Sequence, residues 1–311
     1  MEAGKISQVV RELCLDGIFE RCQGAYAERT LSGYRNDLEQ FQSWSEARHK
    51  AWLPASPATV AAFIDEETKC KALSTVKRRV EAVKFAHRML DLPSPVANSE
   101  VKLALRRAMR SNRARPKQSH GLTHEILRRI LDACPDSLAG KRDAAIICVG
   151  YDSLARSYEL SLLEVEHVSS ACSTILIPRS KTDQSGEGRL AYLAPRTQEI
   201  LMEWLDASGI TGGPLFQSLH TRKLSGQPLS TSAIRRLVKR AGMRADDDGE
   251  AVKLSGHSMR VGAAQDMMTA GLDHLAIMQA GGWKTLDVVA RYVENAAAQN
   301  LHRRRWASLS S

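Results

Sequence analysis

Leu254-Ser255-Gly256-His257-Ser258-Met259-Arg260 is the stretch whose residue types and spacing best suit chemistry. A helix opening at Ser258 places His257 and Arg260 one turn apart, facing the same small object. The helix start adds unpaired backbone N–H groups, which favour an anion there. Other reactive types lie elsewhere. Leu154-Ala155-Arg156-Ser157-Tyr158-Glu159-Leu160 sets an arginine at a helix start, Lys181 follows a strand beside a turn, and Gly281-Gly282-Trp283 precedes Arg291-Tyr292-Val293. Taken singly, such an arginine is ordinarily a surface ion-pair partner, and a tryptophan after two glycines a core plug. Only their order and spacing give the set a meaning. A glycine-rich phosphate loop, a Gly-x-Ser-x-Gly elbow and a His-Glu-x-x-His helix are absent. Asp246-Asp247-Asp248-Gly249 reads as a solvated loop, since adjacent carboxylates in a glycine turn point apart.

The elements that must position these residues are mostly helical. Thr30 is expected to cap a helix through Trp44, with Leu31, Tyr34, Leu38, Phe41 and Trp44 at three- and four-residue steps. Ser56-Pro57 opens a short helix over Val60, Ala61, Phe63 and Ile64, with serine as cap and proline in the first turn. Ser74 opens another, with Val76, Val80, Val83 and His87 on one face, and Leu92-Pro93-Ser94-Pro95 stops it. A last helix from Asn98-Ser99 carries Val101, Leu105 and Ala108. No strand signal precedes residue 160, so residues 1–110 are expected to form an all-helical domain. Residues 111–121, basic and without hydrophobic period, read as a linker, and 122–311 as a second domain. There, helices over His124 to Ala133 and Leu138 to Tyr151, the latter capped by Ser137, lead to strands Thr174–Ile177 and Arg189–Leu193 around a polar loop. Helices resume at Pro195, Ser230-Thr231, Ser258, Asp273 and Thr285. The expected fold class is mainly α with a small antiparallel sheet.

Lys and Arg number 44 against 35 Asp and Glu, a net +9 over 311 residues, which suits a partner carrying negative charge along its length. The excess is concentrated. Lys69, Lys71, Lys77, Arg78, Arg79, Lys84 and Arg88 face a single Glu81, and Lys102, Arg106, Arg107, Arg110, Arg113, Arg115 and Lys117 meet no acidic residue. Two such runs closing one helical domain read as a phosphate-tracking clamp. The helix after Ser74 is the expected major-groove reader, with Thr75, Lys77, Arg78 and Arg79 as its candidates and Arg106 and Arg107 as further DNA contacts. The longest apolar run, Ala144 to Tyr151, is far shorter than the roughly 20 residues a bilayer span needs. The N-terminus carries no apolar signal core. Six cysteines without a Cys-x-x-Cys pair read as reduced thiols, and no metal ligand set is expected. These features imply a cytoplasmic protein with no membrane partner.

Arg156, Lys181, His257-x-x-Arg260, Trp283 and Tyr292 resemble, in order and spacing, the active-site set of the tyrosine recombinases, the phage integrase family. Many members carry histidine where this chain has Trp283. The resemblance is specific in the second half of the chain and generic in the first. It implies a helical core-binding domain followed by a catalytic domain. In the chemistry it implies, Tyr292 attacks a DNA phosphodiester and forms a 3′-phosphotyrosine link, so no ATP is needed. Arg156 and Arg260 fork onto the nonbridging oxygens where charge develops, and no metal or other cofactor is required. Lys181 protonates the leaving 5′-oxygen. His257 assists proton transfer at Tyr292 or holds the phosphate, Trp283 donates its indole N–H, and Glu159 orients Arg156 or His257.

By the same resemblance, the helix opening at Leu229-Ser230-Thr231-Ser232 reads bases. This chain has Ser232 where a relative carries arginine, with Arg235 nearby, which predicts a different target sequence. The tail from Asn295 to Trp306 is expected to dock on a neighbouring protomer. The implied partners are double-stranded DNA with an inverted-repeat site and three further copies of the chain, in a tetramer acting through a Holliday junction. The implied origin is bacterial or phage. Two other readings stand beside this one: a telomere resolvase or type IB topoisomerase, and a catalytically idle DNA-binding protein on the same scaffold.

Overall fold

A computed structural model describes residues 15–112, 118–178, 188–221, 223–245 and 253–294. The chain divides into two compact units, Met1–Pro116 and Lys117–Ser311. Among the described residues no helix is long and apolar enough to cross a membrane.

The described part of the first unit is helical: α1 (15–21), α2 (Glu28–Glu46), α3 (Pro57–Glu67), α4 (Leu73–Met89) and α5 (Ser99–Ser111). Phe41 and Phe63 meet edge to face at 5.0 Å in its core, alongside buried Trp52, Val60, Ile64, Val76 and Val80. Ser56 caps α3 by accepting from the Thr59 N–H, and Asn98 caps α5 by accepting from Glu100. Two expected starts move. Ala27, not Thr30, is the N-cap of α2, and Glu28 then places a carboxylate in the first turn, where the helix dipole favours it. In α4 the N-cap is Ala72 rather than a residue at Ser74. His87 sits on the core face as expected. Its Nε2 accepts from the Ala55 N–H at 3.0 Å, so Nδ1 donates to the Val83 carbonyl at 2.9 Å.

The second unit surrounds α7 (Leu138–Asp152), whose apolar run from Ala144 to Gly150 is buried. It packs against α9 (Pro195–Ser208) and α11 (Ser258–Thr269), with α6 (His124–Asp132), α8 (Ser157–Ser161), α10 (Thr231–Arg244) and α12 (His274–Gly281) around them. A last helix, α13, covers 286–294. Strands β1 (Thr174–Ile177) and β2 (Arg189–Tyr192) pair antiparallel, Ile175 opposite Ala191 and Ile177 opposite Arg189. A second hairpin, β3 (Gln217–His220) and β4 (Lys223–Pro228), was not expected from the sequence. Its strands contain serine, glycine and proline instead of alternating β-branched residues, so the usual strand signal is missing. The described cysteines are free thiols, and Cys148, inside α7, is pushed up to about 12 by burial.

Candidate active site

α11 begins at Ser258 with His257 as its N-cap, the start the sequence predicts. That start is pinned from two sides. The Ser258 carbonyl accepts from the Leu122 N–H at 2.8 Å, and the Ser157 hydroxyl donates to the Gly256 carbonyl at 3.1 Å. Two glycines make the closeness possible. A Cβ on Gly256 would strike the Ser157 hydroxyl, and one on Gly262 would strike the Leu122 carbonyl. The loop before α11 and the opening of α8 are thereby held against each other.

On this frame Arg260 is 1% exposed. It donates from Nη1 to the Leu154 carbonyl at 2.5 Å and from Nη2 to the Gly281 carbonyl at 2.6 Å. Its guanidinium lies 4.0 Å from the centre of the Trp283 ring. Its Nε has no hydrogen-bond partner among the described residues. Burial, then the nearby Arg156, lower its pKa to about 10, so it remains a cation at neutral pH. A guanidinium has five N–H groups, and two of them are given to carbonyls here.

Trp283 also meets the Tyr292 ring at 5.1 Å, and His257 meets that ring edge-on at 6.4 Å. The Tyr292 carbonyl accepts from Gln118 at 3.1 Å and Gln265 at 3.4 Å, which fixes the backbone of α13 beside α11. Trp283 leaves the end of α12 through Gly282, whose φ of 61° glycine adopts without steric cost. Leu154, Ile277, Val289 and Val293 pack with it in a small apolar cluster. Here the tryptophan is both a core plug and a neighbour of the tyrosine.

Arg156 is the N-cap of α8 and half-buried. Glu159, 1% exposed, accepts from the Arg156 side chain at 2.5 Å and from its backbone N–H at 2.8 Å. Of the two partners expected for Glu159, the structure gives Arg156. His257 keeps an exposed edge. Even so, partial burial of the ring, then Arg260, Arg156 and Arg235, hold its pKa below the usual imidazole value, with Glu159 pulling weakly the other way. Arg156, His257, Arg260, Trp283 and Tyr292 thus converge. Lys181, Asp246-Asp247-Asp248-Gly249 and the tail from Asn295 lie outside the described residues.

Arg189 was missed by the sequence reasoning. It opens β2, donates to the Ala280 carbonyl at 3.0 Å and stands 3.8 Å from Glu159. A signal for it existed: strand alternation sets Arg189 on the same face as buried Ala191, so a charge was due on the core side.

Of the expected DNA-contacting residues, Lys77, Arg106, Ser232 and Arg235 are exposed, Thr75 is half-buried, and Ser232 and Arg235 lie on α10. Arg78 is exposed but paired to buried Asp37 at 2.8 Å, and Arg107 forks onto Asp65 at 3.2 and 2.5 Å. Arg79 departs from the expectation. It lies on the core face of α4 with Val76 and Val83 and is ion-paired to Glu67, so it faces inward.

Residues 120–299 match the phage integrase family, and residues 21–90 match the N-terminal SAM-like domain of phage integrases. The chain is 27% identical to the Cre recombinase of Escherichia phage P1 over 93% of its own length and 90% of that protein. It is equally 27% identical to an integrase/recombinase XerD homolog of Selenomonas ruminantium, over 88% and 84%. Among solved structures, XerH site-specific recombinase bound to palindromic difH substrate superposes with a TM-score of 0.68 at 18% identity, covering 88% of this chain and 78% of that one. A lambda integrase dimer bound to a COC′ core site gives 0.64 at 16%, covering 91% and 94%. Two family matches along one chain, the first over more than half of it, and likeness to both relatives over most of their length place it: the chain belongs to the phage integrase family and is a tyrosine recombinase.

Proposed function

We propose that this enzyme cuts and rejoins DNA at a specific inverted-repeat site through a covalent link between Tyr292 and a 3′-phosphate. The observation that carries the reading is the packing of the Tyr292 ring against both His257 and Trp283, with Arg260 stacked on that same Trp283. A hydroxyl nucleophile, a nitrogen able to take its proton and two guanidiniums for the phosphate oxygens are the groups a metal-free transesterification needs. Neutral His257 accepts the Tyr292 proton as the phenol oxygen attacks phosphorus. Arg156 and Arg260 stabilise the charge that grows on the nonbridging oxygens. The 5′-oxygen leaves with a proton, for which Lys181 is the donor. The reverse step, attack by a 5′-hydroxyl on the phosphotyrosine, rejoins the strand with no external energy.

The partner is double-stranded DNA. The crystallised XerH and lambda integrase complexes hold DNA sites, and the net charge of +9 here favours the same class of ligand. Thr75, Lys77 and Arg78 on α4, Arg106 and Arg107 on α5, and Ser232 and Arg235 on α10 are the contacts assigned to it. A palindromic site asks for two copies of the chain, and exchange between two sites asks for four, through a Holliday junction. Residues 1–110 bind, 111–121 link and 122–311 carry the chemistry.

Covalent trapping tests the reading. The protein is incubated with nicked suicide DNA drawn from the sequence flanking its gene, without metal or ATP, then denatured. A protein–DNA adduct is expected, and Tyr292→Phe should abolish it while binding the same DNA within about threefold of the parent, since the lost hydroxyl is one group in a many-contact interface. An adduct formed by the phenylalanine variant would overturn the assignment of Tyr292.

A further inference from the structure

Three guanidiniums, Arg156, Arg189 and Arg260, are gathered around one carboxylate, Glu159. Arg156 is spoken for twice over by Glu159, through its side chain and its backbone. An arginine and a glutamate joined so closely form a nearly neutral pair, a poor anchor for a phosphate. Arg189 changes that balance. Its Nη2 stands 3.8 Å from the Glu159 oxygen that binds the Arg156 backbone, and this Nη2 is buried with no hydrogen-bond partner among the described residues. Its Nη1 is committed to the Ala280 carbonyl, the residue before the Gly281 carbonyl that holds Arg260. Gly282 leaves room for the arm: a Cβ there would come within 3.2 Å of the Arg189 Cδ.

Two consecutive carbonyls at the end of α12 are therefore each taken by a guanidinium, where helix carbonyls lack partners within the helix and the dipole favours cations. Among the described residues, Arg189 alone reaches both the bracket that holds Arg260 and the carboxylate that holds Arg156. We infer that Arg189 is a positioning residue for strand cleavage: it shares the charge of Glu159, so that Arg156 meets the scissile phosphate as an uncompensated cation, and it fixes the α12 end that carries Arg260. The inference rests on the phosphotyrosine reading above. Arg189 itself need not touch DNA.

The test separates charge from scaffold. In Arg189→Lys a cation remains beside Glu159. In Arg189→Gln an amide donor remains for the Ala280 carbonyl and the cation is gone. Single-turnover formation of the covalent adduct is measured for both variants in the full-length protein on nicked site DNA, with DNA affinity and thermal unfolding measured in parallel. Arg189→Gln should slow cleavage about 100-fold, the scale of losing one preorganised charge contact, while Arg189→Lys stays within about tenfold and both bind DNA within about threefold. A second substrate carries a neutral methylphosphonate at the scissile position. With one nonbridging charge removed from the DNA, the penalty of Arg189→Gln relative to the parent should shrink at least tenfold. Equal penalties on the phosphodiester and the methylphosphonate, or equal losses in the lysine and glutamine variants, would mean that Arg189 is only a strut. If Arg189→Gln does not fold, Arg189→Met, which also lacks the cation, is measured on the two substrates in its place. It supports the inference if its penalty falls on the methylphosphonate and overturns it if the penalty is unchanged. A parent protein that forms no adduct with any nicked site would instead sink the phosphotyrosine reading.

Discussion

His257 stands at an exposed edge of the site, and its surroundings set its proton. Partial burial is the largest influence, followed by the positive charges of Arg260, Arg156 and Arg235; all disfavour imidazolium. The folded-state pKa is therefore below the usual 6.5, and the ring is neutral, able to accept a proton, through the neutral range. On the proposed role of His257 as proton acceptor, cleavage is fully present at neutral pH and is lost only as pH falls through this depressed value. Removing one of the cations should raise it. Arg235→Gln is expected to move the His257 titration, followed by NMR of the imidazole C–H protons, to higher pH, and the acid limb of the cleavage rate should move with it. A titration that stays put would show that Arg235 does not act on this ring.

At the scale of elements, the join between the 118–122 segment and α11 is the most exacting fit in the second unit. Gly262 lies under the Leu122 backbone, and the Leu122 N–H is bonded to the Ser258 carbonyl. Gly262→Ala should cost roughly 1–3 kcal/mol, read from the denaturant midpoint, because a rigid backbone and not a side chain must yield. Gly33→Ala in α2, where a Cβ meets nothing within 4 Å, should instead stabilise by up to about 1 kcal/mol. Much of this level was legible in the sequence. The caps Ser56, Asn98, Ser137 and Asp273 announce their helices because each supplies a local acceptor for a helix-start N–H. The pair Arg260 and His257 was equally legible, since helical spacing alone sets it. The β3–β4 hairpin and the start of α2 were not, because tertiary packing overrides weak local preference there. The partners of Arg189 and Arg79 escaped for a related reason. Both depend on which carboxylate a distant element delivers: Glu159 from α8 to β2, and Glu67 from α3 to α4.

For the whole molecule, net charge matters more than any single contact. The outward Lys77, Arg78, Arg106 and Arg107 belong to the first unit, while the convergent site lies in the second. Binding should therefore respond steeply to ionic strength, and Tyr292→Phe should leave that response unaltered. Between 50 and 200 mM salt the affinity is expected to fall by about 10³ or more if six or more phosphates are neutralised. Fluorescence anisotropy on a site-length duplex reads this directly. A flat response would remove these residues from the DNA-binding surface.

The seating of Arg260 also bears on how the enzyme can be silenced. Its side chain is a keystone, wedged between the Leu154 carbonyl, the end of α12 and the face of Trp283. Deleting it by Arg260→Ala would open a hole under the tryptophan and orphan two carbonyls, so a dead Arg260→Ala protein has lost masonry as well as charge. Tyr292→Phe removes one oxygen and leaves every wall standing. On the proposed role of Tyr292, that makes it the quiet twin to use wherever an inert yet intact copy is wanted, as in holding a cleavable site in an uncut complex.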